Sequence, residues 1–330
     1  MSRKSVYVTR AIPEENIDEL RKHFDVEVNP DDRALSKDEL KQKLKGRHAA
    51  ISLLTDAVDG DVLDAAGPQL RIVANYAVGF NNFDVAGATQ RNVVLTNTPG
   101  VLDDATATHT MTLLLATARR IAESDKFVRD GKWQGWAPMF FVGLDVERKN
   151  LGIAGLGRIG KAVAKRARGF DMNIIYSDVK PDADFEKAFG ATYVDKDTLI
   201  RESDFLTMHV PLTDETRHYI GAKELKAMKK TAVLINASRG PVVDEVALVQ
   251  ALKNGEIWGA GLDVFEDEPK LASGLVDLPN VVVVPHIASA TPQTRIAMGE
   301  IAVNNIIKVL NGQVPDTCVN PEVLKSAAAQ

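Results

Sequence analysis

A chain of 330 residues is long for one hydrophobic core and suits about two domains; its 45% apolar and 26% charged residues are those of an ordinary globular protein. A net charge of −5, with Lys and Arg scattered along the chain, gives no basic footprint for nucleic acid. Cys318 is the only cysteine, which excludes an intrachain disulfide, and neither a signal-peptide core nor an apolar run near the roughly 20 residues of a membrane span occurs, so a reducing, cytoplasmic setting without a membrane partner is expected.

Residues 6–9 form the first expected strand. Pro13 then opens a helix to Phe24 with Ile17 and Leu20 on one face, because a first-turn proline loses no needed N–H. A strand over 25–28 follows, and Ser36-Lys-Asp-Glu39 has the spacing of a capping box that opens a helix to Leu44. Strands over 49–53, 71–75 and 93–96 alternate with helices over 62–66 and 84–90, which predicts a doubly wound parallel sheet. From Ala105 the pattern changes to a single long helix over 106–129, stopped by Gly131. Its centre, from Met111 to Ala118, is apolar nearly all round and should be buried. The stretch 131–149 carries Trp133, Trp136, Pro138, Phe140 and Phe141 without periodicity. A loop of that length is unusual and often functional; its aromatics either pack on their own domain or meet a subunit or substrate.

Alternation resumes with strands over 151–154, 173–177, 205–209, 232–236, 259–264 and 281–284, and a helix over 291–310 precedes a polar tail. The first of these strands runs into Gly155-Leu-Gly157-Arg-Ile-Gly160 and a helix. Gly155 permits the tight turn, Gly157 lets backbone approach a pyrophosphate, and Gly160 allows close helix–strand packing. The loop with Arg158 and Ile159 would present free N–H groups and a partial positive charge to the phosphates. The next strand ends at Asp178, whose carboxylate suits the hydroxyls of the adenosine ribose. That carboxylate would repel a 2′-phosphate, so NAD(H) is the expected cofactor, while Lys180 and Arg158 nearby leave NADP(H) usable.

Ligands of open parallel sheets bind beyond the carboxyl ends of the strands. In the second lobe that edge collects His209-Val210-Pro211, Ala237-Ser238-Arg239-Gly240, Asp263 with the acidic run Glu266-Asp267-Glu268, and Pro285-His286. Hydride transfer to a 2-oxo acid needs such parts. Guanidinium grips a carboxylate with two prongs, imidazole supplies a proton near neutral pH, and a carboxylate on the other ring nitrogen fixes the tautomer. Each also has an ordinary reading: Arg239 as a solvated cation, His286 as a packed histidine, and the acidic run as a solvated turn. The residue types alone do not select among the three acids. His209 reads as lining the cofactor.

The chain resembles the D-isomer-specific 2-hydroxyacid dehydrogenase family, nearest its glyoxylate/hydroxypyruvate reductase branch. The resemblance rests on Asn75-Tyr-Ala-Val-Gly79, Thr96-Asn-Thr-Pro99, the glycine loop, His209-Val-Pro-Leu-Thr213, Asn236-Ala-Ser-Arg-Gly240, Gly261-Leu-Asp-Val-Phe-Glu-Asp-Glu-Pro269 and Pro285-His-Ile-Ala-Ser-Ala290, in family order. It implies a flavodoxin-like substrate-binding domain of residues 1–99 plus 291–330 and a Rossmann dinucleotide-binding domain of residues 100–290. It also implies Arg239 as substrate anchor, His286 as acid/base and Glu268 as its partner. Backbone N–H groups of Val78 and Gly79 would hold the substrate carboxylate, with Leu54 beside them, and Asp263 would face the nicotinamide amide. Val210, Pro211, Thr216, Ala237 and Ser238 would line the cofactor. No metal is implied. A homodimer is implied, with Trp136 reaching the neighbouring active site. Asn81 stands where the family usually has Asp, and Thr108 where an acid usually precedes His109; Asp178 departs from the NADPH-using reductases and favours NADH. The expected reaction is reduction of a small 2-oxo acid to the D-2-hydroxy acid. Phosphite dehydrogenase is the nearest enzymic alternative, but it relies on a Lys where this chain has Val78. An NAD-sensing, corepressor-like binding protein is the alternative outside enzymes.

Overall fold

The computed structural model describes residues 3–327; the first two residues and residues 328–330 of the expected tail lie outside the described residues. Chain contacts divide it into two units, Met1–Leu102 with Ala290–Gln330, and Asp103–Ser289.

The first unit is built on strands β1 (Ser5–Val8), β2 (Asp25–Val28), β3 (Ala49–Ser52), β4 (Ile72–Asn75) and β5 (Val94–Thr96). All pairings are parallel, in the order β2-β1-β3-β4-β5. The central strands are buried on both faces, as short continuous apolar runs require when helices cover both sides. The helix Lys37–Leu44 starts at the expected capping box, with Ser36 and Glu39 exchanging bonds. The helix Pro292–Leu310 returns late in the chain to pack on this unit. A Cβ at Gly299 would lie 2.0 Å from Oδ1 of Asn16, so glycine permits its close approach to the helix Glu14–His23.

The second unit carries β6 (Asn150–Ala154), β7 (Asn173–Ser177), β8 (Thr192–Tyr193), β9 (Phe205–Met208), β10 (Val233–Asn236), β11 (Gly259–Leu262) and β12 (Val281–Val283). The parallel order β12-β11-β10-β9-β6-β7-β8 reverses direction between β6 and β9, which makes that crevice the switch point. The fold is thus α/β, with two doubly wound parallel sheets.

Three local expectations change. The long helix expected over 106–129 is two helices, Asp103–Ala118 and Ile121–Arg129. The chain turns at Arg120, which is left-handed (φ 54°) and held by a two-pronged pair with Glu123 and by the ring of Phe141 beneath its guanidinium. Strand β8 and the helix Glu322–Ala327 were not anticipated. They are too short for their periodicity to register. The apolar centre of the first helix is buried as expected, with Met111, Leu113 and Leu114 in the core of the second unit. Gly261 lets it approach β11, since a Cβ there would sit 2.8 Å from Oγ1 of Thr117. No helix among the described residues is long and apolar enough to cross a membrane.

Candidate active site

The switch point begins at Gly155, at the end of β6. Its φ of +93° suits glycine, and a Cβ there would meet the backbone of His209, at the end of β9, at 2.8 Å. Gly157 sits at the N-cap of the helix Arg158–Ala167 with open space where a side chain would be. Because Gly157 offers no capping side chain, the first N–H groups of that helix remain available to an anion. Gly160 presses on the turn: a Cβ would fall 2.3 Å from the Gly155 carbonyl oxygen. Ile159 packs partly buried against the core. Arg158 turns to Asp103, with Nε 3.1 Å from the carboxylate.

Asp178, just beyond β7, is anchored to the same loop. One oxygen accepts the N–H of Leu156 at 2.7 Å and the other that of Val179 at 2.6 Å. The carboxylate therefore stands beside the glycine turn with a fixed orientation. An uncapped helix start, an open glycine and an adjacent carboxylate together fit a dinucleotide. Desolvation pushes the imidazole of His209 down to about 4, so it is neutral at ordinary pH, and its Nε2 lies 3.0 Å from Oγ1 of Thr207. In the following loop Thr216 donates to the Pro211 carbonyl at 2.6 Å and accepts from the N–H of Thr213 at 2.8 Å, which closes the turn from Pro211 to Thr216 just after Val210.

The neighbouring strands β10, β11 and β12 run in register, Asn236 beside Leu262 and Leu262 beside Val283, so their loops emerge side by side. Asn236 shapes the first loop. Its Oδ1 accepts from the N–H and Oγ of Ser238, and its Nδ2 donates to the Arg239 carbonyl at 2.9 Å. This turns the chain after Ala237 and delivers Arg239, whose Nη1 donates to the Ser238 carbonyl at 2.7 Å. Desolvation lowers the guanidinium from its ordinary value, and Glu268 opposes that shift, a direct electrostatic link between the two. Gly240 must be glycine-like here, because a Cβ would fall 1.8 Å from the Phe265 carbonyl oxygen. The Arg239 loop and the Glu268 loop therefore touch backbone to backbone.

Glu268 lies 3.0 Å from Nδ1 of His286, and its other oxygen accepts the N–H of Phe265 at 3.0 Å. Facing a carboxylate, Nδ1 carries the proton and Nε2 points its lone pair or proton elsewhere. Burial raises the Glu268 carboxyl, but the His286 bond and charge, the Phe265 amide and Arg239 outweigh it and hold the group below its usual range. Glu266 bonds His218 at 2.6 Å instead. The structure thus separates the acids that sequence alone could not.

His286 itself is left-handed (φ 54°). Its N–H donates to the Asp263 carbonyl at 2.9 Å, and the fully buried Asp263 carboxylate accepts the next two amides, Ile287 at 2.7 Å and Ala288 at 3.0 Å. Nε2 of His109 lies 3.2 Å from the same carboxylate, at ion-pair distance without hydrogen-bond alignment. Sequence reasoning missed this use of Asp263, which braces the backbone around a strained histidine; only the strand-end position of Asp263 hinted at it.

Leu54, Val78 and Gly79 belong to the first unit. They follow β3 and β4 at the carboxyl edge of that sheet, where a set of asparagines braces the loops. Asn75 donates to the Gly79 carbonyl and Asn97 to the Val78 carbonyl, each at 2.8 Å, while Asn82 donates to the carbonyls of Leu53 and Asp56. With the carbonyls tied down, the peptide planes of this loop are fixed.

Residues 111–288 match the family model for the D-isomer specific 2-hydroxyacid dehydrogenase, NAD binding domain. Over 98% of both chains the sequence is 50% identical to a glyoxylate reductase of Thermococcus kodakarensis, and over 97% of both it is 50% identical to one of Korarchaeum cryptofilum. Among solved structures, a Thermus thermophilus protein superposes with a TM-score of 0.90 at 41% identity, covering 96% of this chain and 99% of that one. An NADPH-dependent glyoxylate/hydroxypyruvate reductase of Sinorhizobium meliloti, in complex with NADP and malonate, superposes with a TM-score of 0.86 at 34% identity over 98% of each chain.

Proposed function

The chain belongs to the D-isomer specific 2-hydroxyacid dehydrogenase family and is an NAD(P)-dependent oxidoreductase, and from that premise we propose that it reduces glyoxylate or hydroxypyruvate with NADH, giving the D-2-hydroxy acid where the product is chiral. The observation that carries this reading is the Glu268–His286 contact of 3.0 Å, on loops that emerge beside the Arg239 loop. A nicotinamide cofactor held at the Gly155–Gly160 turn and Asp178 would supply the hydride for C2 of the substrate. His286 delivers the proton to the developing alkoxide from Nε2, and Glu268 stabilises the charged imidazole and holds its orientation. Arg239 grips the substrate carboxylate, and the Val78 and Gly79 amides are its proposed partners in the first unit.

NADH is the proposed cofactor because the fixed Asp178 carboxylate disfavours a second anion beside the glycine turn. Of the two nearby cations that would favour NADPH, Lys180 and Arg158, the second is engaged by Asp103. Asp263 is read as bracing His286: its side chain is fully buried with both oxygens on backbone amides, which leaves it no surface for the nicotinamide amide that the family implies. A homodimer is proposed for the exposed apolar face, where Trp133, Trp136 and Met139 are 57%, 84% and 81% exposed and none of the residues of the helix Ile121–Arg129 is buried.

The reading is tested by following NADH absorbance with glyoxylate, hydroxypyruvate, pyruvate and phenylpyruvate, repeated with NADPH. Fast turnover of the smaller acids with NADH is expected. Tight NADH binding without turnover of any acid would overturn it.

A further inference from the structure

Glu245 is a carboxylate with an unusual position. It opens the helix Glu245–Lys253, where an acidic side chain ordinarily sits in solvent near the helix start. The capping duty there is already filled by Asp244, whose side chain accepts the N–H of Ala247 at 2.9 Å. Glu245 is instead only 5% exposed, and each of its oxygens accepts a backbone amide from the loop that carries Glu268. The N–H of Glu266 donates at 2.9 Å on one side of Glu268, and that of Ala272 at 2.9 Å on the other. Return bonds close the frame. The Glu245 N–H donates to the Glu266 carboxylate at 3.3 Å, and the loop pinches itself with the Lys270 N–H on the Asp267 carbonyl at 2.8 Å.

Burying a carboxylate is costly unless hydrogen bonds replace its water, and bonds from N–H to a charged acceptor are among the strong ones. Here both are made to one loop, so the side chain joins the helix to the segment from which Glu268 projects. Behind that segment the Phe265 backbone rests on Gly240. We propose that Glu245 is a positioning residue for the proton relay, its carboxylate holding the loop on both sides of Glu268 so that Glu268 stays against His286. The inference rests on the reductase reading for its kinetic consequence, and on geometry alone for its structural one.

The groups that bear on Glu268 are His286 and Arg239 directly, with His218, Asp244, Glu266 and Asp267 on the surrounding loops. Replacing Glu245 by Gln puts an amide NH2 against a backbone N–H, frees one end of the loop and leaves the other groups in place. Glu245→Asp, which keeps the charge but shortens the reach, is the second variant. Asp195→Ala serves as the control: Asp195 caps the helix Lys196–Glu202 through the N–H of Thr198 at 2.7 Å and is remote in sequence from the relay.

In Glu245→Gln, kcat for 2-oxo acid reduction should fall about 10–100-fold, the loss that a misplacement of about 1 Å at the reacting groups brings, with NADH affinity held within about two-fold. The acidic limb of kcat/KM should move upward, because Glu268 loses the contacts that keep it ionised. Long-range 1H–15N spectra supply a readout that needs no substrate. The His286 ring signals, assigned by their loss in His286→Gln, should move toward those seen in Glu268→Gln, and Asp195→Ala should leave them unchanged. If the Glu245 variants keep wild-type ring signals, kcat and acidic limb while only melting earlier, Glu245 is a fold-stabilising residue and the proposal is wrong. A wild-type protein without turnover would sink the reductase reading alone, since the ring signals would still decide on Glu245.

Discussion

At His286 a left-handed backbone and a carboxylate partner coincide, and that partner in turn feels the Arg239 guanidinium; the residue-scale predictions follow from that arrangement. His286→Gln should lower kcat about 10²- to 10⁴-fold, the range for a positioned general acid, with little change in NADH affinity by fluorescence titration. Arg239→Lys keeps the charge but loses the fork; at about 1.5–3 kcal/mol for a charge-assisted bond, KM for the oxo acid should rise about 10–100-fold in steady-state assays. The Glu268 carboxyl is held below its ordinary value, chiefly by its bond to His286 working against burial, so it takes up its proton at lower pH than an unperturbed carboxyl would. Activity should therefore persist into mildly acid buffer and fall on the acid side as Glu268 takes up its proton, which a pH profile of kcat/KM reads directly. At this scale the sequence reached Arg239 and His286 through their places after strands. It selected Glu268 over Glu266 only by resemblance, and the choice becomes physical once His218 is seen to occupy Glu266. The bracing by Asp263 and Glu245 was not legible, because those partners are 21 to 27 residues apart in sequence and meet only through the sheet order.

Among the elements, the glycine turn and the helix behind it were the most readable, since strand, glycines, helix and acid follow one another locally. Their packing makes a further prediction. A methyl group at position 160 would meet the Gly155 carbonyl at 2.3 Å, and backbone cannot yield as a flexible side chain would. Gly160→Ala should thus destabilise the protein by about 1–3 kcal/mol in urea unfolding and weaken NADH binding in parallel. The break at Arg120 shows the opposite case. The apolar periodicity runs through it, and no Gly or Pro marks the turn. A left-handed non-glycine residue is held there by Glu123 and Phe141, contacts whose effect no propensity records.

For the molecule as a whole, the alternation of short apolar strands with helices was enough to read two doubly wound sheets, and periodicity could not supply the strand orders that set the switch point between β6 and β9. Nor did it supply the return of the helix Pro292–Leu310 to the first unit; that came from resemblance. The exposed Trp136 and Met139 belong to this scale too. If the face pairs with a second copy, Trp136→Ser with Met139→Ser should shift the sedimentation coefficient from dimer to monomer at micromolar concentration. An unchanged monomeric value in the parent protein would remove the dimer. The central claim, hydride delivery to C2 of a 2-oxo acid to give the D-hydroxy acid, is tested most directly by isotope transfer. The protein should be incubated with hydroxypyruvate and NADH deuterated at C4 of the nicotinamide on one face at a time, and the product examined by NMR and chiral chromatography. One deuterium at C2 of the D-hydroxy acid, from one face only, is the expected result; an L-product, or reduction without deuterium at C2 from either face, would contradict it.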